Sequence, residues 1–178
     1  MMIVVVGFFV TVQLLILHAS EGTVPSARLA ITFALALSCA VRYWWVILLL
    51  EWPPRWFRFV LLLLAWSALP LAAMMTTNAV LWALALAALS AIGCITEIYN
   101  GVTRQWQIGS EEMSRSLKRD HIVGAASAFS AAIGLLLVAF FQPAWLDIFI
   151  PVIVLVDWVR LIVMIRRHQR FIDLGYLT

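Results

Sequence analysis

Apolar residues run along this chain in long blocks, not in the two-residue alternation of a half-buried strand or the 3.6-residue rhythm of a surface helix. Six blocks stand out, at roughly 1–17, 29–50, 59–75, 79–99, 122–141 and 145–165. A helix needs about 20 apolar residues to cross a hydrocarbon core about 30 Å thick. Each block therefore predicts a transmembrane helix, and the chain an all-α, polytopic bundle of six helices forming one integral membrane domain. The first block lacks a basic leader and an obvious small-residue cleavage site, so it is expected to stay as a helix.

Polar residues break the blocks at informative places. Thr76-Thr77-Asn78 and Gln142-Pro143-Ala144 are so short that the helices on either side must be antiparallel neighbours. The longer polar stretches are a loop over 100–120 and a tail over 166–178. Ser110, followed by Glu111 and Glu112, is a helix-start signal, and a helix from there is expected to run into the fifth block. The tail reads as a short basic amphipathic helix with Phe171, Ile172, Leu174 and Tyr176 on its apolar side.

Charge then orients the bundle. Of the 12 basic residues, Arg55, Arg58, Arg104, Arg115, Lys118, Arg119, Arg166, Arg167 and Arg170 fall on one side, Arg28 on the other, and Arg42 and Arg160 within blocks. Basic loops are retained in the cytoplasm during insertion, so both termini are expected there, in a pattern that suits a bacterial inner membrane. Composition adds only emphasis: 65% hydrophobic and 12% charged residues exclude a soluble fold of 178 residues. The net charge of +3 is explained by lipid headgroups, and no nucleic-acid partner is expected. Most tryptophans, including Trp44, Trp82 and Trp145, fall near block ends, as interfacial anchors do, whereas Trp66 and Trp158 lie deeper and suggest packing.

Candidate chemistry is sparse. Cys39 and Cys94 lie inside apolar blocks as lone thiols. His18 belongs to one face, and His121 and His168 to the other, so no three histidines share a metal. Neither a Ser-His-Asp set, a phosphate loop nor a metal-ligand run is present, and neither enzyme activity, a metal nor a cofactor is expected. Ionisable residues within the blocks are the stronger lead, since each costs about 2.5–3.5 kcal/mol at a helix centre. Arg42 precedes Glu51 by nine positions, and Asp157 precedes Arg166 by nine, which puts both about 13 Å inside the same boundary. Arg42 is expected to pair with Asp157, with Arg160, one turn on, competing for or sharing the carboxylate. Such a cluster can fix helix neighbours or bind a proton or cation, or Arg42 can snorkel to the headgroups. Glu97 and Asp147 are weaker candidates, each close enough to a block end to be an interfacial carboxylate.

Small residues recur every fourth position at Ala83, Ala87 and Ala91, and at Gly124, Ala128 and Ala132, which marks close contact, with the fourth helix packing on the fifth favoured over packing on another subunit. Pro70 and Pro151 interrupt the third and sixth helices and free backbone carbonyls there.

Six helices, cytoplasmic ends and a cytoplasmic loop between the fourth and fifth helices resemble the membrane half of cation diffusion facilitators, and Trp145-Leu146-Asp147 is faintly similar to the start of their sixth helix. That family holds its metal with His and Asp on the second and fifth helices. Here the second helix has neither, and the fifth offers only Asp120 and His121 at its mouth, so no membership follows. Two functions remain: a small transporter or ion pathway using Arg42, Asp157 and Arg160, or a non-catalytic accessory subunit or assembly factor. The expected partners are the lipid bilayer and either further copies of the chain or a larger membrane complex.

Overall fold

A computed structural model describes residues 2–49, 56–103 and 111–173. Among them are six α-helices and no strand: α1 (Met2–Glu21), α2 (Ser26–Leu49), α3 (Trp56–Met74), α4 (Ala79–Thr103), α5 (Glu111–Phe141) and α6 (Leu146–Asp173). All six are long and apolar enough to cross a membrane. Contacts close them into a ring in the order α1, α3, α4, α5, α6, α2, and α4 also touches α6 across the middle.

The tight turns form as their sequences dictate. Met75–Thr77 makes a single 3-10 turn, after which the Asn78 side chain accepts hydrogen bonds from the amides of Val80 (3.0 Å) and Leu81 (3.2 Å), capping α4. Pro143–Trp145 makes the second 3-10 turn, with Pro at a position where no amide donor is needed. Helix α5, with 31 residues, is about 46 Å long and includes the polar stretch after Glu111. Ser110, the expected cap, lies outside the described residues. The basic segment from Arg166 to Asp173 continues α6 instead of forming a separate tail helix, because neither Gly nor Pro interrupts the helix there.

Two apolar clusters form the interior. One joins Trp82, Leu86, Leu135, Leu146, Ile150 and Val154 from α4, α5 and α6, and the other joins Val4, Ala36, Trp66 and Leu69 from α1, α2 and α3. Trp82 is fully buried, which corrects its expected place as an interfacial anchor: its indole Nε1 donates to Thr32 Oγ1 at 3.1 Å. Trp44 and Trp145 are exposed. Trp158 is half-buried and donates from Nε1 to the Ala34 carbonyl at 3.1 Å.

Helix α4 packs closely on α5, as expected, through the expected Gly124 and Ala128 of α5, but the close approach on α4 is made by residues other than the alanines. Ala83 and Ala87 are buried, whereas Ala91 is exposed. The contacting positions are Gly93, Glu97 and Gly101, one turn apart, which meet Ala128, Gly124 and His121 in antiparallel order. A Cβ at Gly101 would lie 3.3 Å from the His121 Cβ. On the other side of the bundle, Pro70 has no amide to donate to the carbonyl of Trp66, four residues earlier. That carbonyl faces Gly7 of α1, where a Cβ would come within 2.9 Å of the oxygen. The proline-freed oxygen is thus covered by a glycine from a neighbouring helix.

Candidate functional site

Helix geometry brings the charged residues together before any pairing is considered. At 100° per residue, Arg28, Thr32, Ser38 and Arg42 occupy about 120° of the α2 circumference. On α6, Asp147, Ile150, Val154, Asp157 and Trp158 share a face in the same way. These two faces meet, and α2 and α6 begin at the same end of the bundle, as their two ion pairs establish.

The deeper group lies where α2, α4, α5 and α6 converge. Arg42 Nη2 donates to Asp157 Oδ1 at 2.6 Å, and Ser38 donates to the other oxygen of the same carboxylate. Arg160 pairs with Glu97, not with the expected Asp157. Its Nη2 donates to Glu97 Oε1 at 2.8 Å, an oxygen that Arg42 Nη1 also reaches at 3.4 Å. Glu97 Oε2 lies 2.7 Å from His121 Nδ1. Glu97 is therefore the hub of the cluster, touched by α2, α5 and α6, and its side chain is only 16% exposed. Glu97 is thus enclosed by neighbouring helices, and α4 continues past Tyr99 to Thr103, beyond the end of the apolar block. Two arginines face two carboxylates, so the cluster is balanced in charge apart from the imidazole. Each carboxylate oxygen of Glu97 and Asp157 has a donor or an imidazole nitrogen within reach, the condition under which burial of a charge is tolerable.

Asp147 belongs elsewhere. At the opposite end it accepts a bidentate pair of bonds from Arg28, Nε to Oδ1 at 2.7 Å and Nη2 to Oδ2 at 2.9 Å. Arg28 also donates to the Thr76 carbonyl at 3.2 Å and lies 5.8 Å from the centre of the Trp82 ring. It sits in the first turn of α2, not in a loop, so its guanidinium ties together α2, α4, α6 and the turn after α3. Asp147 remains 55% exposed on its side chain, whereas Arg28 is 13% exposed. Arg42 follows Arg28 by fourteen positions of α2, about 21 Å along the helix. Between them lie the buried apolar residues Ala36, Leu86, Ile150 and Val154.

Gly124 is what allows α5 to approach the hub. A Cβ there would meet Arg160 Nη2 and come within 2.8 Å of the Glu97 carboxyl carbon. Next to the cluster, at the end of the bundle carrying Asp120 and Arg167, a cavity of about 240 Å³ opens between α5 and α6, with Arg160 in its wall. Arg167 is hydrogen-bonded to Asp120 across the two helices. No group of three or more His, Cys, Asp or Glu side chains among the described residues is arranged to hold a metal ion, and Cys39 and Cys94 are free thiols.

No family model, curated protein or solved structure matches the chain. Chemistry therefore has to be read from the arrangement itself. The helices hold a buried carboxylate, Glu97, between an imidazole and two guanidinium groups, with a cavity on one side and an apolar layer on the other. A proton or cation enters such an arrangement only in exchange for an arginine contact, since the guanidinium groups already balance the carboxylates.

Proposed function

We propose that the protein is a small transporter or ion pathway in which the Glu97-centred cluster, with Arg42, Asp157 and Arg160, binds a proton or cation, and the Arg28–Asp147 pair closes the opposite end. The observation that carries this reading is the order of layers along the bundle: a cavity reaching Arg160, the charge cluster, an apolar layer, and then a second ion pair. An alternating-access cycle needs such a sequence, in which the binding group communicates with one side at a time. Neutralising Glu97 with a proton removes the partner of Arg160 and one of the two carboxylates of Arg42, leaving two arginines to a single charged carboxylate, Asp157. The cluster then carries an uncompensated positive charge, and the helices bearing the arginines are driven to rearrange.

The basic residues assign the orientation within this proposal. Nine of the 12 lie on the side of both termini, which the positive-inside rule puts in the cytoplasm, here that of a bacterial inner membrane. The working unit is proposed to be a homo-oligomer. A second reading, an accessory subunit or assembly factor, is favoured by one observation: two arginines matched by two carboxylates are also what a purely structural lock between four helices would contain.

Extraction from the native membrane in mild detergent, followed by measurement of mass and composition, separates the two. The transporter reading expects a homogeneous assembly of this chain alone. Stoichiometric foreign subunits would overturn it in favour of the accessory role.

A further inference from the structure

The cavity between α5 and α6 has a composition that the transport reading does not use. Its polar rim carries Arg119, Arg160, Arg167 and Asp120; with Arg160 held by Glu97 and Arg167 by Asp120, Arg119 leaves one positive charge in excess. Its remaining wall is apolar, made by Val123, Val163 and Met164. Val123 and Val163 are both about half-exposed on the outer surface of the bundle, so the cavity opens sideways, toward acyl chains, as well as toward the end. Arg160 and Arg167 each hold a carboxylate, while the Arg119 side chain is exposed at the rim.

A guanidinium cluster above an apolar, laterally open wall matches one class of ligand: an amphiphile with a phosphate next to its hydrocarbon. We infer that this cavity binds the phosphate of an anionic phospholipid, with Arg119 and Arg167 holding the headgroup and Val123 and Val163 flanking the first carbons of the chains. A free phosphate ion would satisfy the arginines but would make no use of the valine wall. The lateral opening is therefore what favours a lipid. The site shares Arg160 with the charge cluster, so an occupying phosphate competes with Glu97 for that guanidinium. This inference stands whether the protein is a transporter or an accessory subunit.

The test is native mass spectrometry of the full chain in detergent, titrated with dioleoyl phosphatidylglycerol and, separately, with dioleoyl phosphatidylcholine and inorganic phosphate. Two variants accompany it: Arg119→Gln, which removes a rim charge, and Arg166→Gln, which removes a charge one residue away from the lining. One defined phosphatidylglycerol adduct is expected, weakened about fivefold in R119Q, the scale of one basic residue at a membrane surface, and unchanged in R166Q. Val123→Trp, which fills the lateral opening and leaves every arginine in place, is expected to lose the adduct as well. Equal losses in R119Q and R166Q, equal binding of phosphatidylcholine, an undiminished adduct in V123W, or displacement of the lipid by inorganic phosphate would each overturn the assignment.

Discussion

Gly124 of α5 lies directly against the carboxyl group of Glu97 on α4, so close that a Cβ would stand 2.8 Å from the carboxyl carbon. An alanine there fits only if the ends of the Arg160 and Glu97 side chains shift, which disturbs the hydrogen bond between them. Gly124→Ala should destabilise the folded protein by about 1–3 kcal/mol, as overpacking does. Gly93→Ala, on the same α4–α5 interface but with its new Cβ at an ordinary 4.0 Å from Ala128, should be neutral or slightly stabilising. Unfolding of the two variants in mixed detergent micelles compares them directly; equal effects would mean that the close approach at Gly124 is unimportant.

Removing the hub should be costlier than removing any residue around it. Glu97→Ala leaves Arg160 without its carboxylate and takes one of two from Arg42, a loss on the order of 3–5 kcal/mol for a buried pair. Glu97→Gln keeps an acceptor and should lose less. Arg42→Ala strands Asp157, which then keeps the Ser38 hydroxyl as its hydrogen-bond partner among the described residues. The double variant Arg42→Ala with Asp157→Ala should be more stable than Arg42→Ala alone, a coupling that a double-mutant cycle measures. A less stable double variant would contradict the pairing.

The Arg28–Asp147 pair should respond asymmetrically. Asp147 is more than half exposed, so Asp147→Asn should cost under about 1 kcal/mol. Arg28→Ala should cost more, because the guanidinium also serves the Thr76 carbonyl and lies beside the Trp82 ring. Thermal unfolding in detergent gives the order; equal shifts would show that Arg28 acts through Asp147 alone.

Gly7 and the Trp66 carbonyl supply an independent check on how α1 docks. Gly7→Ala directs its new Cβ at a backbone oxygen, which cannot rotate away as a side chain would, and should loosen α1 from α3 by about 1–3 kcal/mol. Protease sensitivity or hydrogen exchange in α1 should rise while the Glu97 cluster, built from α2, α4, α5 and α6, keeps its exchange protection. Loss of protection throughout the bundle would contradict independent docking.

The positions of the helices were legible in the sequence because crossing a membrane demands length and hydropathy, both readable in one dimension. Their rotations were not, since in a helix apolar on all sides no periodicity separates the lipid face from the packed face. Ala91 and Gly93 illustrate this: the four-residue alanine spacing pointed to Ala91, yet Gly93 faces α5. Matched depth put Arg42 beside Asp157, since both are measured inward from clear polar boundaries. Glu97 was undervalued because the apolar block ends near Tyr99 while the helix itself continues to Thr103. Asp147 was separated from Arg28 because Arg28 read as a loop charge, although Pro25 and Ser26 start the helix just before it. The shared 120° face of Arg28, Thr32, Ser38 and Arg42 was the available signal that a polar seam runs along α2.

The central claim is that Glu97 is a working carboxylate. The most direct measurement is proton flux in vesicles reconstituted with the purified protein, followed with an entrapped pH-sensitive dye after a pH jump. Wild type and Arg166→Gln should dissipate the gradient faster than protein-free vesicles, and Glu97→Gln, verified as folded and at equal density, should fall back to the protein-free rate. Equal rates for wild type and Glu97→Gln would contradict the account and leave the cluster a structural lock.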